Sequence, residues 1–291
     1  MANLTGKRII VTGATNGIGE VAALELAKMG ADITLISRTE SKLQATAAKI
    51  EQAGGSADYI TADLSSIEET RQAAETFKQR HSRLDVLLNN AGAVFSDRHE
   101  SVDGVEMTFA LNHLSYFLLT QDLLEILKQT AETHGEARVV NVSSSAHQSG
   151  MHWDDMLYEK GYNSFGAYGQ SKAMNILFTY ELDRRLQGTN VTANALHPGF
   201  VETGFGQNNG WFMKTILNLL QPLLAKSADD GAKTSIYLAS SPQVAGVSGK
   251  YFVDEKQKRS ADFTHKEESW ERLWDYTENL IREKSSAAQP V

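Results

Sequence analysis

The tightest constraint on this chain lies near its start. Arg8-Ile9-Ile10-Val11-Thr12 is a short apolar run with the composition of a fully buried strand. It runs straight into Thr12-Gly13-Ala14-Thr15-Asn16-Gly17-Ile18-Gly19. Helical spacing then takes over from Gly17 to Met29, with Ile18, Val21, Ala22 and Leu26 on one side and Gly30 as the stop. A glycine turn between a buried strand and a helix allows a tight reversal and close backbone approach to a pyrophosphate, which then sits at the positive end of the helix. The spacing departs from G-x-G-x-x-G but meets the same mechanical requirement. A β–α turn that binds nothing is the plain alternative.

The rest of the chain repeats the alternation. Strands are predicted over Ile33–Ile36, Ser56–Ile60, Leu84–Leu88, Arg138–Val142, Asn190–Leu196 and Lys250–Val253. Between them, helices are predicted over Glu40–Ala53, Ser66–Arg80, Val105–Lys128, Ala167–Gln187 and Ser227–Ser240, with Ser66 and Glu69 spaced as a capping box. Strict strand–helix alternation argues for one α/β domain, doubly wound, with a mainly parallel sheet flanked by helices. No internal repeat or Pro/Gly/Ser-rich linker divides it before the tail, Ser285 to Val291. After the last strand, Trp270, Leu273, Trp274 and Leu280 recur at helical spacing, which predicts an amphipathic extension within residues 254–284.

Composition narrows the function. A net charge of −8 and a pI near 5.5 argue against a nucleic-acid partner. The absence of cysteine excludes disulfides, thiol catalysis and cysteine-ligated zinc. His147, His152, Asp154 and Asp155 lie in a polar insert without a convincing ligand set, so no metal is expected. The start, Met1 to Lys7, lacks an apolar signal core, and no run of 18 apolar residues occurs. A cytoplasmic protein with no membrane anchor is the expectation.

Two further features carry chemistry. Tyr168-Gly169-Gln170-Ser171-Lys172 places a phenol and an ammonium one helical turn apart on one face. An ammonium beside a phenol lowers its pKa from about 10 towards neutrality, making Tyr168 a usable acid or base. At the end of the second strand, an acid favours NAD through the ribose hydroxyls, whereas an arginine accommodates the extra phosphate of NADP. Here Ser37-Arg38 follows the strand, with Lys42 nearby. This favours NADP(H); Glu40 keeps NAD(H) as the lesser alternative.

These residues resemble the short-chain dehydrogenases/reductases over about Lys7 to Val253. Thr12-Gly13-x-x-x-Gly17-Ile18-Gly19 looks like the cofactor turn of their Rossmann domain, Asp63-Leu64 like their adenine-side pair, and Asn89-Asn90-Ala91-Gly92 like the end of their fourth strand. His197-Pro198-Gly199 with Val201 and Thr203 resembles the segment beside the nicotinamide. Within the family the chain resembles the retinol-dehydrogenase-like branch. The grounds are Ser37-Arg38, Leu111-Asn112-His113-Leu114, Asn141 to His147, and the 24 positions separating Ser144 from Tyr168.

The resemblance implies hydride transfer between a nicotinamide and a carbonyl or alcohol carbon, with Asn112, Ser144, Tyr168 and Lys172 as the catalytic four. Tyr168 would exchange the proton and Ser144 would bond the substrate oxygen. Lys172 would tune Tyr168 and bond the nicotinamide ribose, and Asn112 would hold a relay water. Cofactor contacts are implied at Gly13, Thr15, Asn16, Gly17, Ile18, Gly19, Ser37, Arg38, Asp63, Leu64, Asn90, Ala91, Gly92, Tyr168, Lys172, Pro198, Gly199, Val201 and Thr203. Read from the residues alone, Ser143, Ser144 and Ser145 remain interchangeable, since a one-residue slip at a strand end inverts the facing side chain; alignment with the family selects Ser144. Phe200 and Phe205, in the segment where relatives place a substrate lid (about 200–226), suggest a lipophilic aldehyde, ketone or alcohol, with plain packing as the alternative. Double-bond reduction of the protochlorophyllide type and an NADP(H)-sensing protein with little turnover are the rival readings. Relatives often form homodimers or homotetramers through the Asn112 and Tyr168 helices, where the C-terminal extension could intervene.

Overall fold

The computed structural model describes residues 2–198 and 227–287. Seven strands run parallel: β1 (Arg8–Thr12), β2 (Asp32–Ser37), β3 (Ser56–Thr61), β4 (Val86–Asn89), β5 (Ala137–Val142), β6 (Val191–His197) and β7 (Lys250–Val253). An eighth, β8 (Lys256–Lys258), returns antiparallel to β7. Their order is β3-β2-β1-β4-β5-β6-β7-β8. This is the doubly wound arrangement expected from the alternation. The order reverses between β1 and β4, and in such sheets the binding crevice opens at the carboxyl ends of the strands beside that switch.

Each central strand is apolar on both sides because both faces are covered. Ile9, Val11, Leu88 and Val140 pack beneath α1 (Gly17–Lys28), α2 (Glu40–Gln52) and α7 (Ala228–Ser240). Their neighbours Ile10, Leu87 and Val139 face the other layer. That layer comprises α3 (Ile67–Arg80), α4, α5 (Leu124–His134), α6 (Ser164–Arg185) and α8 (Glu267–Ala287). Helix α4 is composite: Met107–Phe109, a π-helical turn over Ala110–Leu114, then Ser115–Asp122.

Three local expectations change. The single helix predicted over Val105–Lys128 is two, broken at Leu123, where the backbone leaves the α region (φ −102°, ψ 3°). Apolar periodicity runs unbroken across the junction because Leu119, Leu123 and Leu127 all bury into the same core. The capping box is half formed: Ser66 accepts from the Glu69 N–H, but the Glu69 carboxylate takes the Asp63 N–H instead of reaching back to Ser66. Strand β8 carries no clear signal in the sequence. Its two-residue turn, Asp254-Glu255, has positive φ at both positions (50° and 60°), which suits a hairpin but lacks the glycine or asparagine that would announce it.

The extension folds back as α8 over α4 and α6. Its Trp274 ring lies 4.7 Å from Phe117 and 5.8 Å from Phe178, and the Arg185 guanidinium stacks 4.0 Å from it. Among the described residues, no helix is long and apolar enough to cross a membrane.

Candidate active site

At the switch point the ends of β1 and β4 are stitched together. The Thr12 hydroxyl accepts from the Asn90 and Ala91 N–H groups, both at 2.9 Å, and the Asn90 amide donates to the Thr12 carbonyl at 2.8 Å. Gly13 (φ 65°) and Gly17 (φ 53°) adopt the left-handed backbone of the turn. A Cβ on Gly13 would stand 2.8 Å from the Ala91 Cα, and one on Gly19 would strike the Gly13 carbonyl and the Asn90 amide. Asn16 precedes α1 in extended conformation, and its side chain caps none of the first-turn N–H groups. These amides, at the positive end of the helix, suit an anion. The cradle therefore fits a dinucleotide pyrophosphate: it is glycine-lined, closely backed and amide-rich. Ile18 is half-buried against the core on this side.

The edge of the crevice distinguishes the cofactor-side residues. Thr15 and Ser37 hydroxyls meet at 3.2 Å, joining the glycine turn to the end of β2. Arg38 is exposed and makes no hydrogen bond or ion pair among the described residues. Glu40, by contrast, is turned towards Gln44 (3.3 Å) and Tyr59 (3.5 Å). Asp63 uses its carboxylate on the N–H and hydroxyl of Ser65, at 2.9 and 2.7 Å, and Leu64 is buried.

The four residues expected to act together converge on the ends of β4 and β5. Asn112 sits inside the π-helical turn of α4. Its amide donates to the Ala93 carbonyl (2.9 Å) and the Ser171 hydroxyl (3.1 Å), and its oxygen accepts from the Ala93 N–H (2.9 Å). The side chain thus latches the loop after β4 onto α6. Gly92, in that loop, is where a Cβ would meet the Asn112 oxygen at 3.2 Å and the Lys172 Nζ at 3.4 Å. The Lys172 ammonium donates to the Val142 carbonyl at 3.2 Å and lies 5.5 Å from the Tyr168 ring centroid. The serine register separates cleanly. Ser143 donates to the Lys172 carbonyl at 2.7 Å, Ser144 accepts from the Ala146 N–H at 3.2 Å and stands near enough to the Tyr168 phenol to lower its pKa, and Ser145 opens a short 3-10 turn.

Burial, more than mutual charge, governs the two titratable groups. Tyr168 is pushed up to about 12 by burial, opposed by the Ser144 hydrogen bond, and Lys172 is pushed down to about 7 by burial. The expectation that Lys172 draws Tyr168 towards neutrality is therefore not met. Desolvation disfavours the charged form of both groups, and a lysine driven towards neutrality loses the charge that would have stabilised a phenolate.

Of the remaining sequence-predicted residues, Pro198 follows β6 and is half-buried. Gly199, Val201, Thr203, Phe200 and Phe205 lie outside the described residues. No group of three or more potential metal ligands occurs among the described residues.

A family model for short chain dehydrogenase matches residues 7–211. The chain belongs to that family. Its relatives place it in the retinol-dehydrogenase-like branch. Human "Retinol dehydrogenase 13" is 42% identical over 288 residues, covering 96% of this chain and 86% of the relative. Human "Polyprenol dehydrogenase" is 38% identical, covering 91% and 82%. Among solved structures, an uncharacterised protein from Mycobacterium paratuberculosis superposes with a TM-score of 0.78 at 29% identity, covering 97% of this chain and 96% of that one. The Pseudomonas aeruginosa RhlG/NADP active-site complex gives 0.70 at 29% identity, covering 86% and 95%.

Within this short-chain dehydrogenase site, several residues escape a motif reading. Gly169 is required by the close approach of the 3-10 turn: a Cβ there would strike the Ser149 hydroxyl and stand 2.6 Å from the Ala146 carbonyl. Gln170 accepts from the His152 N–H (2.7 Å) and donates to the Met156 carbonyl (2.9 Å), binding the insert to α6. Asn175 and His113 form a buried chain behind Lys172. The signal available in the sequence was Lys172, Asn175 and Thr179 at helical spacing within an apolar helix, where polar residues need fixed partners.

Proposed function

We propose that this short-chain dehydrogenase is an NADP(H)-dependent oxidoreductase that interconverts a lipophilic aldehyde or ketone with the matching alcohol. The observation that carries the reading is the convergence of Ser144, Tyr168 and Lys172 beside Gly92, at the strand ends that also hold the glycine turn. Gly13, Thr15, Asn16, Gly17, Ile18 and Gly19 would cradle the pyrophosphate, with Asp63 and Leu64 on the adenine side. Asn90, Ala91, Gly92, Pro198, Gly199, Val201 and Thr203 would line the nicotinamide end. The bound nicotinamide supplies or accepts the hydride.

The protein's own residues handle the oxygen and its proton. A phenol held at about 12 carries its proton throughout the physiological range. Tyr168 is thus ready as the acid in the reducing direction, and Ser144, beside it, would share the developing charge on oxygen. Lys172 lies behind the phenol, where it can return a proton. Asn112, fastened to Ala93 and Ser171, holds the loop that carries Gly92, and its backbone carbonyl accepts from the Asn175 amide.

NADP(H) over NAD(H) is supported by exposed Arg38 and Lys42, and by a Glu40 that faces away towards Tyr59. Neighbours solved with NADP support the same choice. Relatives called retinol and polyprenol dehydrogenases support a long apolar substrate, for which Phe200 and Phe205 are the candidate contacts. Cytoplasmic residence belongs to the same proposal, with cell fractionation as its test. Association through the faces of α4 and α6 would compete with α8, so a homodimer or homotetramer would use another surface.

The test is a titration of NADPH and NADH against wild type and Arg38→Ala, then a carbonyl panel with wild type and Tyr168→Phe. Preference for NADPH that is lost in Arg38→Ala, with turnover reduced about 10²–10⁴-fold in Tyr168→Phe, is expected. Tight cofactor binding without turnover on any carbonyl would replace this reading with a nucleotide sensor.

A further inference from the structure

We infer that Thr277, His113 and Asn175 form a positioning chain by which the C-terminal helix α8 holds the catalytic lysine and the π-turn carbonyl of Asn112; the inference rests on the oxidoreductase reading above. The chain begins with one amide. Asn175, fully buried and three residues after Lys172, donates from its Nδ2 to the Asn112 carbonyl at 2.9 Å and to the Val142 carbonyl at 3.2 Å. The Val142 carbonyl is the same oxygen that receives the Lys172 ammonium at 3.2 Å. A single side chain therefore fixes two groups of the site: the acceptor of the lysine, and the backbone of the π-helical residue that bears the catalytic asparagine.

The rest of the chain follows from donor and acceptor bookkeeping. With both Nδ2 hydrogens committed to carbonyls, Asn175 presents only an acceptor oxygen to His113, whose Nδ1 stands 3.3 Å away. This makes Nδ1 the protonated ring nitrogen and leaves Nε2 to accept. The group facing Nε2 at 3.2 Å is the Thr277 hydroxyl on α8; its one proton has two acceptors in reach, Nε2 and the Leu273 carbonyl at 2.8 Å, and the chain runs through to α8 when Nε2 receives it. His113, Asn175 and Thr277 all have 0% exposure, so no solvent can replace a lost link. The His113 ring is further held edge-on by Phe109 (5.3 Å) and Phe178 (6.2 Å).

A purely cohesive network would end on groups of no chemical consequence. This one ends on the lysine's own acceptor. Among the described residues, the titratable groups around Lys172 are few: the Tyr168 and Tyr116 rings, at 5.5 and 5.9 Å from Nζ, and His113 at the far side of Asn175. Removing the Asn175 donor frees the Val142 oxygen for the ammonium alone, which favours the charged lysine.

The decisive experiment uses the full chain with 13C-labelled lysine, the Lys172 signal being assigned by its absence in Lys172→Met. Asn175→Ala is expected to raise the Lys172 titration midpoint by about half a pH unit or more. Thr277→Val, nearly isosteric and remote from the catalytic four, is expected to shift it in the same direction by less, and Thr277→Ser to restore it. In turnover, Thr277→Val should lower kcat about fivefold and displace its pH profile, with KM little changed. If the variants lose thermal stability while the Lys172 midpoint stays at the wild-type value, the chain is merely structural and the inference is overturned. Failure of wild type to turn over any carbonyl would sink the oxidoreductase reading separately, since the lysine titration needs no activity.

Discussion

Lys172 is expected to weaken the fold it serves. It is 2% exposed, faces no carboxylate among the described residues, and has one carbonyl as its hydrogen-bond acceptor. Burial pushes it from 10.5 down to about 7. In the unfolded chain it binds its proton up to about 10.4. Between those values the unfolded state holds a proton that the native state lacks, so stability rises with pH across the window; the penalty is fully present below pH 7. At about 1.4 kcal/mol per pH unit, the penalty is about 5 kcal/mol. Lys172→Met removes the charge and keeps most of the volume, at the loss of one hydrogen bond of about 1 kcal/mol. Urea unfolding at pH 6 should therefore find Lys172→Met more stable by about 2–4 kcal/mol, with the gap closing towards pH 9.5. Comparing the two proteins at each pH cancels the buried tyrosines, whose own effects begin near pH 10. A Met variant that is less stable than wild type at pH 6, or a gap that does not change with pH, would refute the reasoning.

Two further outcomes follow from buried groups on the same side of the sheet. Burial lowers His113 from 6.5 to about 4, so its share of stability is lost as pH falls through that window, about 3 kcal/mol in all; the acid limb of the unfolding profile should be shallower in His113→Asn. Trp274→Ala should lower stability by about 3–5 kcal/mol in urea unfolding, because the ring fills the space between Phe117, Phe178 and the Arg185 guanidinium.

What the sequence reveals and conceals here follows from the range of the interactions. The parallel sheet is legible because Ile9 to Val11, Leu87 to Leu88 and Val139 to Val140 are apolar without alternation, as two covered faces demand. The glycine turn and the Tyr168–Lys172 spacing are local, and each needs only one element to be read. The serine register was open to residue reading because three adjacent hydroxyls differ only in facing, and the facing is set by α6 packing on β5. The π turn at Asn112 has no composition of its own, and the hairpin into β8 uses Asp254-Glu255 where glycine is usual. The rise of Tyr168 is not legible in the sequence because an i to i+4 pair reports proximity but not desolvation. Asn175, His113 and Thr277 pair across separations of up to 164 residues, which no periodicity encodes.

The insert and the C-terminal extension share one physical role, which is to surround α6. That helix is buried continuously from Gly169 to Leu182, so its polar side chains cannot turn to water. These side chains find partners outside the helix: Gln170 on the insert, Ser171 on α4, Asn175 on α4 and β5, and Asn141 of β5 donates to Thr179. Glu181, with 0% exposure, is paired with Arg184 and Arg185 one turn on. A helix satisfied in this way has one low-energy placement, because any slide or rotation would strand several buried donors at about 1–3 kcal/mol each. Tyr168 and Lys172 inherit that placement. A preorganised acid loses least to reorganisation when charge develops beside it, so the buried polar groups behind the pair support the same chemistry as the groups that face the crevice.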